Sequence, residues 1–76
     1  MEKILEAIDT ANKIIGEWEW KRRQAYHDKL NSRTDEMREV YQKNFLNADL
    51  NKRLVMFYLD GLEYALRCIR EEDKLQ

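Results

Sequence analysis

The chain has 76 residues, 43% hydrophobic and 38% charged, with a net charge of −1; that is room for one domain with a small core. Its single cysteine, Cys68, and single histidine, His27, exclude an intrachain disulfide, a four-ligand structural zinc site and the paired Glu-x-x-His motifs of a di-iron bundle. No apolar run approaches the roughly eighteen residues of a membrane span, and a near-neutral balance provides no general attraction to nucleic acid or acidic lipid.

The amino-terminal stretch, Met-Glu-Lys-Ile-Leu-Glu, is acidic and amphipathic, unlike a secretion signal. Together with the lone thiol this predicts a cytoplasmic protein. A first helix is predicted from about Glu2 to Leu30. Ile4, Ile8, Ala11, Ile15 and Trp18 recur at four-three spacing and form one stripe, with Ala7, Ile14 and Ala25 beside it. Beyond Trp18 the stripe weakens, because Arg22 and Lys29 fall on its line.

Two features of this helix bear on function. In Glu17-Trp18-Glu19-Trp20 the tryptophans lie about 160° apart on a helical wheel. Trp18 belongs to the core stripe, while Trp20 sits on a polar face with Arg23, Gln24 and His27. Interface hot spots favour Trp and Arg, so these four are the predicted partner-binding residues. The bland alternative is that Trp20 covers the edge of another helix or stacks on Arg23. Charge is also uneven. Residues 1–20 sum to −3, residues 21–33 to +4 and the remainder to −2. The basic segment includes Lys21, Arg22, Arg23, Lys29 and Arg33. Phosphate binding needs several cations on one face, whereas Lys21, Arg22 and Arg23 spread over about 200° of the wheel.

A turn is predicted at Asn31-Ser32-Arg33-Thr34, with Ser32 or Thr34 as the cap of the next helix. Asp35 and Glu36 then suit its amino-terminal dipole. In the second helix Met37, Val40, Tyr41, Phe45 and Ala48 share a face. Asn44, Asn47, Asp49 and Asn51 follow, residues that compete with the helix backbone for hydrogen bonds. A break or kink is therefore expected near residues 46–49. The opposing signal is the stripe Met37, Tyr41, Ala48, Val55, Leu59, Leu62, Leu66, Ile69, which keeps its phase through the asparagines.

The third predicted helix, Asp49 to about Asp73, has an apolar arc of roughly 220°, against the 100° or so of an ordinary surface helix. One neighbouring helix does not cover such an arc. Either both other helices pack on it or a second subunit does. Phe57, Gly61, Tyr64, Leu59 and Leu66 are the predicted self-association residues. Gly61 inside a helix costs about 1 kcal/mol relative to Ala and fits a close approach.

These readings combine into an all-α fold: one domain over 1–76, an antiparallel bundle of two long helices with a shorter middle helix, completed by dimerisation. A helical hairpin is the alternative if the second and third helices are continuous. No set of residues meets the requirements of a catalytic site, since His27 has no evident nucleophile and Cys68 points into the apolar arc. No enzyme activity, metal, cofactor or membrane association is expected. The predicted function is protein–protein interaction, as a small regulator, adaptor or inhibitor of a protein partner, of a kind encoded by phages or mobile elements. Nucleic-acid binding through residues 21–33 is the alternative.

Overall fold

A computed structural model of the protein describes the backbone of residues 2–75 and side-chain environments through Glu72. It consists of two helices, α1 (Glu2–Leu30) and α2 (Asp35–Leu75), folded into an antiparallel hairpin. The expected three-helix arrangement is corrected to the hairpin alternative. There is no shorter middle helix, and α2 runs unbroken for 41 residues. The side chains of Asn47 and Asn51 are used within the helix and do not break it. Asn51 Nδ2 donates to the Asn47 carbonyl at 2.8 Å and to Asn47 Oδ1 at 3.3 Å. Arg53 pairs with Asp49 one turn back at 3.1 Å. Ala48, in phase with Tyr41, Val55 and Leu62, is buried, so burial at that point holds the helix through its polar stretch.

The turn forms where it was expected. Asn31 N donates to His27 O, closing α1, and Ser32 Oγ donates to Asp28 O at 2.8 Å. Thr34 is the cap of α2. Its Oγ1 accepts from Met37 N at 3.1 Å, satisfying one of the orphan amides of the first turn. Ser32, the other candidate, serves the end of α1 instead.

The hairpin is a rod of 64 × 14 × 13 Å with a radius of gyration of 17.7 Å, against about 11 Å for a compact domain of this length. Its core is a single seam between two helices. Such a seam fully covers only short side chains, because longer ones project past the line of contact. The buried residues accordingly are Ala11, Ala25 and Ala48, with Leu66 the one large side chain among them. Glu19 of α1 pairs with Lys52 of α2. Glu19 lies 17 residues from the start of α1, and Lys52 lies 23 from the end of α2. By that count α2 runs about six residues, roughly 9 Å, beyond the start of α1.

Candidate interaction surfaces

Three surfaces of the rod carry unusual side chains: two flanks between the helices, and the outer face of α2. The first flank is organised by Glu19. Its carboxylate accepts from Arg22 Nε (3.0 Å) and Nη2 (2.8 Å), from Arg23 Nε (2.9 Å) and from Lys52 Nζ (2.7 Å). Three cations on one carboxylate stabilise its charged form. The Arg22 hydrogen bonds, then Lys52, hold the Glu19 carboxyl well below the usual carboxylate range. The same contact raises the Arg22 guanidinium. Arg22 also lies over the Phe45 ring at 5.6 Å, and Tyr26 packs against Phe45 at 6.3 Å. Arg22, Arg23, Tyr26, His27 and Phe45 line a shallow cleft here.

The opposite flank is an open cleft with Trp18, Trp20, Lys21 and Gln24 on α1 and Asn44, Asn47 and Ala48 on α2. Lys21 Nζ sits 4.5 Å above the Trp18 ring, a cation–π contact that fixes the lysine along the helix. Gln24 Nε2 donates to Asp28 Oδ1 at 3.2 Å. Trp20 is 66% exposed.

The four predicted partner-binding residues therefore do not form one patch. Trp20 and Gln24 line the second cleft, while Arg23 and His27 line the first. Arg23 is bound to Glu19 and does not stack on Trp20. The basic segment is also partly used internally. Of its cations, Arg22 and Arg23 are paired with Glu19, and Lys21 is over Trp18.

The third surface is on α2. The helix carries two apolar stripes, each at four-three spacing. One, through Ala48, Val55, Leu59, Leu62 and Leu66, is the seam with α1. The other runs through Leu50, Leu54, Phe57, Gly61, Tyr64 and Cys68, about 160° away on the wheel. Along it Phe57 is 71% exposed, Tyr64 66% and Leu50 56%; Leu54, similarly open, borders a cleft with Ala7, Ala11 and Ile14 of α1, and Cys68 is half-buried. The wide arc is thus half covered, because among the described residues α1 is its one neighbouring helix and occupies one side. Of the five predicted self-association residues, Phe57, Gly61 and Tyr64 lie on this outer face. Leu66 is buried and Leu59 half-buried in the hairpin seam, so those two are taken up by the fold itself.

Sequence reasoning missed the Glu19–Lys52 contact. A signal was present: Lys52 is in phase with Phe45, Leu59 and Leu66 on the core stripe, as Arg22 is on the stripe of α1. A cation on a core line marks a place where an opposite charge from the facing helix is required. Among the described residues there is no cluster of His, Cys, Asp and Glu suited to a metal, and no helix long and apolar enough to cross a membrane. Comparison of the chain with protein-family models, with curated proteins and with solved structures finds no match.

Proposed function

We propose that this chain is a small protein–protein interaction module of the cytosol, acting as a regulator, adaptor or inhibitor of a protein partner. The observation that carries this reading is the row of large, mostly exposed apolar side chains on α2, Leu50, Phe57 and Tyr64 on its outer face and Leu54 at the edge of a cleft with Ala7, Ala11 and Ile14 of α1. Leu50, Leu54, Phe57 and Tyr64 together expose roughly 400–500 Å² per chain, taking aromatic side chains at about 200 Å² each. A patch of that size is within the roughly 300–600 Å² of the largest apolar patch on a typical monomer, a patch that is often functional. The Trp18–Trp20 cleft is a second surface, with an exposed tryptophan, a residue type enriched at protein interfaces.

The rival reading, nucleic-acid binding through residues 21–33, draws less support. Arg22 and Arg23 of that segment are held on the Glu19 carboxylate together with Lys52, which cancels one of their charges, and Lys21 lies over Trp18, so fewer cations are free to turn toward a phosphate backbone and release its counterions. Affinity capture from the source cell, run in parallel with wild type, Trp20→Ala and Phe57→Asp, tests the proposal. Both substitutions are at exposed positions, and circular dichroism checks that helicity is retained. The expected result is a protein recovered by wild type and lost with one of the variants. An identical catch from all three, or recovered nucleic acid with a gel shift at low salt, overturns it.

A further inference from the structure

We draw no further inference here: the strongest candidate, the apolar cleft that Ala7, Ala11 and Ile14 of α1 form with Leu54 and Tyr58 of α2, taken together with the exposed Phe57 and Tyr64 on the outer face of α2, is an unpartnered apolar face, and nothing in the structure shows what covers it.

Discussion

Leu50 and Leu66 are the same residue on the same helix, and truncating each to alanine discriminates the two faces of α2. Leu66 is 8% exposed and Leu50 56% exposed. Leucine to alanine removes three carbons, about 2.4 kcal/mol at roughly 0.8 kcal/mol per buried CH₂. Scaling by burial predicts a loss of about 2 kcal/mol for Leu66→Ala and about 1 kcal/mol or less for Leu50→Ala. The cavity term that raises such values in closed cores is small here, because a gap at the edge of a two-helix seam opens to water. Urea denaturation followed by circular dichroism at low micromolar protein is the assay, since dilution keeps self-association out of the measurement. With a urea slope of about 1 kcal/mol/M, the midpoint of Leu66→Ala should fall by about 2 M. In a thermal scan the corresponding drop is roughly 10–15 °C. Equal losses at the two positions, or a larger one at Leu50, would refute the assignment of the Leu66 face to α1.

Thr34→Ala removes the acceptor of the Met37 amide and should cost about 1 kcal/mol, with Thr34→Asp retaining the cap; thermal unfolding measures both. Gly16→Ala should stabilise the hairpin by up to about 1 kcal/mol, because Gly16 is inside α1 and its added methyl meets nothing within 4 Å; a lower melting temperature would contradict it. The Glu19 network makes stability depend on acid. The Glu19 carboxyl is held below its unfolded value of about 4.3, so its contribution is complete above that pH. It declines as the pH falls from there toward the folded value. Glu19→Gln should therefore lower stability at neutral pH, and its difference from wild type should shrink in acid and at high salt. Denaturation midpoints at several pH values check this, and a difference that grows in acid would show that the carboxylate is not what joins the helices there.

The chain's local chemistry is legible without coordinates. Four-three spacing of Ile4, Ile8, Ala11, Ile15 and Trp18 specifies α1, and Ser32 or Thr34 ahead of Asp35 and Glu36 specifies the start of α2, with the fold choosing Thr34. These signals are short-ranged, set by neighbours within one or two turns. Even the excess of apolar surface on α2 is a property of one helix alone, visible as an arc too wide for a single partner. The tertiary structure decided what depends on the opposing helix. Whether Asn44 to Asn51 break α2 turned on Ala48 being buried on the other side of the seam. Trp20 and Gln24 parted from Arg23 and His27 because the clefts lie between helices, and a wheel of α1 alone does not see where α2 divides its surface. Glu19 found Lys52 across 33 positions of sequence, a contact made only when the hairpin closes. The side of the α2 arc that α1 covers was settled in the same way, by the alignment of the two seams, and it leaves Phe57 and Tyr64 on the outside.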